Sequence, residues 1–189
     1  MSLFDQLKRN HRARSSLLDE LTGFYKKYKS LVYVYFFQLT GSSEESEELT
    51  QETFYQAVKS IHRFKGHSSL KTWLLQIARN VYRNKVRSWA RDQLVYAPVE
   101  VELQPDETNN PQEVALQKYS HSLIQQIFRL MPEDYRDVLI YKEVEGLSHM
   151  EIGEILNKTP QTTKVLLYRA KKRFRQLYDL EVIRDEGTV

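Results

Sequence analysis

Residues 146–175 read GLSHMEIGEILNKTPQTTKVLLYRAKKRFR, and this stretch decides the architecture. Ser148 followed by Glu151 has the spacing of a capping box, which opens a helix by satisfying two of its orphan N–H groups. Ile152, Ile155 and Leu156 then place apolar side chains on one face of a short helix over His149 to Leu156. Asn157 to Thr159 leaves room only for a tight turn. Thr159-Pro160 supplies an N-cap and a first position for a longer helix from Pro160 onward. On that second helix Thr163, Leu167, Ala170 and Phe174 recur at i, i+4, i+7 and i+11 and are predicted to face the core. Gln161, Thr162, Lys164, Val165, Tyr168, Lys171, Lys172 and Arg175 are left outward. The spacing predicts a helix-turn-helix.

Working outward, charge is the next signal. No acid occurs from Ile155 to Tyr178, whereas Lys158, Lys164, Arg169, Lys171, Lys172, Arg173 and Arg175 are cationic. A second acid-free run extends from Thr53 to Arg91, with Lys59, Arg63, Lys65, Lys71, Arg79, Arg83, Lys85, Arg87 and Arg91. Asp92 to Gln117 has the opposite character, with six acids from Asp92 to Glu113 and no cation. Solvated helix faces usually mix signs. Two basic blocks joined by an acidic tether are the footprint of a chain that grips one polyanion at two places. In a helix-turn-helix the second helix enters the major groove, its N-terminal residues meet base edges and its cations meet phosphate.

The remaining sequence is also helical. Tyr28, Leu31, Val32, Tyr35, Phe36 and Leu39 trace one apolar face, closed by Gly41. Phe54, Ala57, Val58 and Ile61 repeat the pattern in a helix that starts between Glu44 and Glu47, where acids suit the helix dipole. Gly66 with Ser68-Ser69 breaks the period, one serine capping the next helix, whose buried face is Leu74, Ile77, Ala78 and Val81. Asp92 to Pro111 has prolines and no helical period and reads as a linker. Leu116, Tyr119, Leu123, Ile127 and Leu130 mark another helix, and Pro132-Glu133-Asp134 opens the one after it. The fold class is all-α: two small helical domains, over 21–91 and 114–180, joined by a flexible acidic linker over 92–113. An N-terminal extension (1–20) and a tail (181–189) flank them.

Composition limits the chemistry. Hydrophobic residues make up 41% of the 189, enough for a packed core, and the absence of cysteine excludes disulfides and thiolate sites. No stretch has the make-up of a signal peptide or a membrane span, so a cytoplasmic protein without direct membrane insertion is expected. His62 with His67 is a poor metal pair, and no phosphate-binding glycine loop or nucleophile constellation occurs. Neither a metal, a cofactor nor enzymatic activity is expected.

One further constellation lies in the first half. Arg79, Asn80, Arg83, Asn84 and Arg87 form a polar stripe on the helix of Ile77 and Val81, able to satisfy phosphates and base edges. The loop of Phe64, Lys65, Gly66, His67, Ser68 and Ser69 just before it could hold an unstacked base. Trp73, at helical spacing, reads as core.

EESEELTQETFYQAVKSIHRFKGHSSLKTWLLQIARNVYRNKVR resembles region two of extracytoplasmic-function sigma factors. LMPEDYRDVLIYKEVEGLSHMEIGEILNKTPQTTKVLLYRAKKRF resembles their region four. The resemblance runs from about Phe24 to Leu177, the linker excepted. It implies a subunit that binds core RNA polymerase and directs promoter-specific initiation. Glu47, Glu48, Leu49, Gln51, Glu52 and Phe54 correspond to the surface for the polymerase β′ clamp helices. The loop Phe64 to Ser69 with Arg79, Asn80, Arg83, Asn84 and Arg87 corresponds to the part that captures and melts the −10 element. The helix from Pro160, with Gln161, Thr162, Lys164, Val165, Tyr168, Arg169, Lys171, Lys172 and Arg175, corresponds to the −35 reader. The apolar side of region four would hold the β flap, and the family commonly works with an anti-sigma factor. Asn84 stands where aspartate is frequent, Pro160 and Thr163 replace aliphatics, and Val165-Leu166 replace serine and arginine.

The linker suits that task. About twenty extended residues span roughly 70 Å, and two turns of B-DNA are also roughly 70 Å long. A competing reading is a DNA-binding regulator that uses only its C-terminal helix-turn-helix and senses a ligand or partner with its helical first half.

Overall fold

The structure is a computed structural model that describes the backbone of residues 3–91 and 111–186, with side-chain surroundings over 19–89 and 120–184. Seven α-helices follow one another among these residues: α1 (Leu3–Thr40), α2 (Ser43–Ser60), α3 (Leu70–Arg91), α4 (Pro111–Leu130), α5 (Glu133–Leu139), α6 (His149–Leu156) and α7 (Pro160–Glu186). A 3-10 turn at Ile61–Arg63 follows α2, and a π-helical turn at Ile140–Val144 prolongs α5. The linker expected over 92–113 lies outside the described residues except for its last three, which already belong to α4.

The helix ends obey local chemistry. Gly41 ends α1 at φ 75°, the left-handed conformation that costs glycine least. Ser42 caps α2, its hydroxyl accepting the Glu45 N–H, with Glu44 and Glu45 in the first turn. Ser69 does the same for α3, accepting the Thr72 N–H at 3.0 Å. Pro132 sits just outside α5 as its N-cap, one residue from the position expected for it.

Helices α1, α2 and α3 pack together, α5, α6 and α7 form a second group with α4 against α7, and α3 meets α6 while α1 meets α4. One apolar core runs through both groups. Val32, Tyr35, Phe36, Leu39, Phe54, Ala57, Leu74, Ala78 and Val81 are buried as their spacing predicts. Val58 and Ile61 are corrected to exposed positions, because α2 turns Leu49, Thr50, Thr53, Phe54 and Ala57 inward and ends before Ile61. Leu130 is likewise exposed, its place taken by Phe128 and Met131. Leu75 and Tyr82 are buried beyond the face expected of α3. With Arg79 they stand at i, i+4 and i+7, a second stripe turned from the first.

Candidate nucleic-acid interface

The helix-turn-helix is built by a series of backbone satisfactions. The Ser148 N–H donates to Glu151 Oε2 at 2.8 Å, and the Glu151 N–H donates to Ser148 Oγ at 3.2 Å, completing the capping box. Helix α6 ends on Asn157 at φ 54°, and the next N–H, of Lys158, donates to the Gly153 carbonyl at 2.8 Å. This tight return requires Gly153, since a Cβ there would lie 2.5 Å from the Lys158 carbonyl oxygen. Thr159 Oγ1 accepts the Thr162 N–H at 3.1 Å, and α7 starts at Pro160. The buried hydroxyl of Thr163 donates to the His149 carbonyl at 3.0 Å, which explains a threonine at an aliphatic position: it ties α7 to α6.

That tie fixes the rotation of α7. Thr163, Ala170 and Leu177 are buried, with Leu166, Leu167 and Phe174 half-buried beside them. Gln161, Thr162, Lys164, Val165, Tyr168, Arg169, Lys171, Lys172 and Arg175 are all exposed. Within this set Lys171 pairs with Glu143 at 2.9 Å, and Lys171 and Arg175 border an apolar groove floored by Ile124, Phe128, Leu139 and Phe174.

In the N-terminal half, Glu47, Glu48, Gln51 and Glu52 are exposed on α2, Glu48 reaching Lys85 at 3.0 Å. Leu49 and Phe54 are corrected from surface contacts to core residues: both are buried, Phe54 making edge contacts with Phe24 and Tyr25. Between α2 and α3 runs an open groove of about 700 Å³, lined by Glu48, Gln51, Glu52, Tyr55, Asn80 and Asn84 among others. The acids of α2 and the asparagines of α3, distinct in sequence, thus share one groove.

Phe64 is held at the start of its loop by the Trp73 ring, 5.1 Å between centroids. Gly66 adopts φ 72°, and Lys65, Gly66, His67 and Ser69 are exposed while Ser68 is half-buried. The polar stripe of α3 divides. Asn80, Asn84 and Arg87 face outward, whereas Arg79 and Arg83 turn toward α5. The single outward stripe read from sequence is corrected on this point, because helical rotation puts Arg79 in line with buried Leu75 and Tyr82.

Arg79 is 12% exposed and surrounded by acids: Nε is 2.6 Å from Asp137 Oδ2, and Nη2 is 2.7 Å from Asp134 Oδ1 and 3.0 Å from Glu133 Oε1. Arg83 Nε meets the same Glu133 oxygen at 3.1 Å, and Lys158 Nζ reaches Asp134 at 3.1 Å. Asp137, 1% exposed, also accepts the Tyr35 hydroxyl at 3.3 Å, and the Tyr35 ring stacks on Tyr141 at 5.3 Å. Burial raises the Asp137 carboxyl above its usual range against the pull of Arg79. The surrounding carboxylates outweigh the burial of Arg79 and hold its guanidinium firmly protonated. Arg136 lies 5.3 Å from the Tyr82 ring centroid, adding a cation–π contact. Asp137, Tyr141 and Gly153 are not singled out by the sequence, which reads Tyr35 only as part of an apolar face and Lys158 only as one cation of a basic run. The signal available was Asp137 at the inward spacing of Val138 and Tyr141, an acid on a buried face.

Among the described residues no group of three or more histidines or acids could hold a metal, and no helix is long and apolar enough to cross a membrane. What the geometry defines first is a class: an all-α protein whose helix-turn-helix, with an exposed acid-free face, packs against a three-helix group. Comparison with known proteins then gives the family. Residues 24–92 match Sigma-70 region 2 and residues 121–174 match Sigma-70 region 4. The ECF RNA polymerase sigma factor SigW of Bacillus subtilis is 29% identical over 182 residues, 92% of this chain and 97% of that protein. SigM of the same organism is 29% identical over 167 residues, covering 86% and 95%. Among solved structures, the sigma factor RpoE in complex with the anti-sigma factor NepR from Bartonella quintana superposes with a TM-score of 0.66. It is 20% identical, with 85% of this chain and 97% of that chain covered. CnrH in complex with the cytosolic domain of CnrY gives 0.64 at 14% identity, covering 90% and 94%. The chain belongs to the extracytoplasmic-function sigma factors, and its function is to direct promoter-specific transcription initiation.

Proposed function

We propose that this sigma factor carries out initiation through three surfaces. The exposed acids Glu47, Glu48 and Glu52, with Gln51, dock on the β′ clamp helices of core RNA polymerase. The Phe64–Ser69 loop with Arg79, Asn80, Arg83, Asn84 and Arg87 takes the −10 element. The outward face of α7 reads the −35 element in the major groove. The apolar groove bordered by Lys171 and Arg175 receives the β flap. An anti-sigma factor that covers these surfaces is the partner expected to restrain the protein, by analogy with the RpoE–NepR and CnrH–CnrY complexes. The chain contributes binding and no catalytic step of its own, and it works where polymerase works, in the cytoplasm.

The observation that carries this reading is the rotation of α7. The Thr163–His149 hydrogen bond turns an acid-free row, from Gln161 to Arg175, outward. Its polar N-terminal end suits base edges and its cationic C-terminal end suits phosphate. Binding to a duplex promoter library, with and without core polymerase, tests it. Substitutions at Gln161 or Lys164 should change the selected −35 sequence. An unchanged selection would assign the helix to protein contact instead.

A further inference from the structure

Two arginines of the candidate −10 surface, Arg79 and Arg83, are already engaged. Their partners Glu133, Asp134 and Asp137 come from α5, in the half of the chain that carries the helix-turn-helix. Three carboxylates converge on the Arg79 guanidinium, much as phosphate oxygens would, and the planar fork of arginine serves either ligand. Lys158, in the turn of the helix-turn-helix, is drawn into the same cluster through Asp134. Arg79, Arg83 and Lys158 thus balance the three acids, and the cluster as a whole is neutral.

Beside the cluster, hydrogen bonds that water can replace run next to apolar contacts that it cannot, the Tyr35–Tyr141 stack and the buried Leu75 and Tyr82 among them. Lys71 Nζ donates to the Glu145 carbonyl at 3.1 Å, Gln76 Nε2 to the Glu154 carbonyl at 2.7 Å, and Gln125 Nε2 to the Phe37 carbonyl at 3.2 Å. Gly41 admits the Gln125 amide, since a Cβ at that position would collide with it. The buried charged element is the Arg79–Asp137 pair with the Tyr35 hydroxyl. Breaking it by removing one partner strands a charge, but separating the two halves lets water solvate both ions.

We propose that α5 masks the DNA-reading arginines of the chain, with Glu133, Asp134 and Asp137 occupying on Arg79 and Arg83 the places of nucleic-acid phosphates. It rests on the reading of the α3 stripe as a nucleic-acid surface. DNA and α5 then compete for the same guanidinium groups, and the closed chain binds single-stranded DNA only in proportion to its open fraction. A partner that binds the two halves apart raises that fraction, and one that binds them together lowers it.

The test uses the full chain without polymerase and a fluorescein-labelled, mixed-sequence single-stranded oligonucleotide read by anisotropy. Glu133 and Asp134 are 36% and 37% exposed, so Glu133→Gln/Asp134→Asn keeps the fold while weakening the latch. Asp19→Asn/Glu20→Gln, on the exposed surface of α1, makes the same change in net charge away from the seam. The chain has no cysteine, so Lys59→Cys/Gln176→Cys places spin labels on each half and nowhere else. The expected result is a longer or broader label distance in the latch variant. Its oligonucleotide binding should be about tenfold tighter than that of wild type or the charge control. Adding Arg79→Gln/Arg83→Gln should abolish that gain. An unchanged distance in the latch variant overturns the masking role of the acids. A tightening equal to that of the charge control overturns it too. An opened seam with unchanged affinity refutes the assignment of the α3 arginines to nucleic acid, and the proposal with it.

Discussion

Arg79 Nε and Asp137 Oδ2 lie 2.6 Å apart although 58 residues separate them, and the pair joins α3 to α5. Because Asp137 is buried and Tyr35 donates to it as well, the pair has to be satisfied whenever the halves are together. Its energetics follow from that burial.

Removing one partner should be costly and removing both should not. Asp137→Ala leaves Arg79 Nε and the Tyr35 hydroxyl without their buried acceptor, with Glu133 and Asp134 still on Nη2, and is expected to cost about 3 kcal/mol. Urea unfolding followed by circular dichroism checks this. The double variant Arg79→Met/Asp137→Leu, apolar at both positions, should recover most of the loss. A double variant as unstable as Asp137→Ala would show that the pair is not the determinant.

His121 on α4 makes a further prediction. Its ring rests against Phe37 at 4.9 Å, neither ring nitrogen has a hydrogen-bond partner, and burial lowers its pKa below 6.5. The folded chain therefore binds fewer protons here than the unfolded chain. Its stability should fall as pH drops through 6.5 toward the lowered value. The raised Asp137 carboxyl slopes the other way above its ordinary 3.8, since there the folded chain holds the proton more tightly. His121→Phe isolates the histidine part: melting temperatures at pH 7.5 and 5.5 should differ less in the variant than in wild type. Equal differences would remove His121 from the account.

Gly153 sets the turn of the helix-turn-helix. Alanine normally favours a helix by about 1 kcal/mol over glycine, but here its Cβ would meet the Lys158 carbonyl at 2.5 Å. Overpacking against backbone costs about 1–3 kcal/mol, so Gly153→Ala should be destabilising despite its propensity. Thermal melts would show it, alongside Ser148→Ala, for which loss of the capping box should cost about 1 kcal/mol. A stabilised Gly153→Ala would mean the turn relaxes freely.

On α7, affinity and specificity should separate. Lys172→Gln should weaken promoter binding for all sequences alike and reduce the log–log salt slope by about one. Val165→Ala or Gln161→Ala should cost roughly 1–3 kcal/mol at particular base pairs. Titrations at several salt concentrations against matched and mismatched −35 duplexes distinguish the two.

The helix-turn-helix could be read from residues alone because its determinants are local. Ser148 and Glu151 are three apart, Thr159 caps its own neighbour, and the core column of α7 follows helical spacing. The same holds for Gly41 and for a serine cap before α3, whereas the Ser42 cap is not read and α2 starts at Ser43, ahead of the expected Glu44. The seam could not be read in this way. Whether Arg79 faces solvent or Asp137 depends on packing between segments more than 50 residues apart, and Leu75 and Tyr82 acquire a buried face only when the second half arrives. Leu49 and Phe54 were misplaced for a different reason. The family resemblance carries them to the clamp-helix surface together with their acidic neighbours, although spacing alone puts Phe54 on an apolar face, and both side chains point inward around α2.

The central claim, that this chain directs core RNA polymerase through its two halves, is tested most directly by run-off transcription on genomic promoter fragments with and without the chain. Discrete transcripts are expected only when it is present, each start preceded by common −10 and −35 sequences. Glu48→Lys/Glu52→Lys should abolish them by weakening association with polymerase, and helicity should stay unchanged. Absence of any chain-dependent transcript, together with promoter binding equally tight with and without polymerase, would contradict the account.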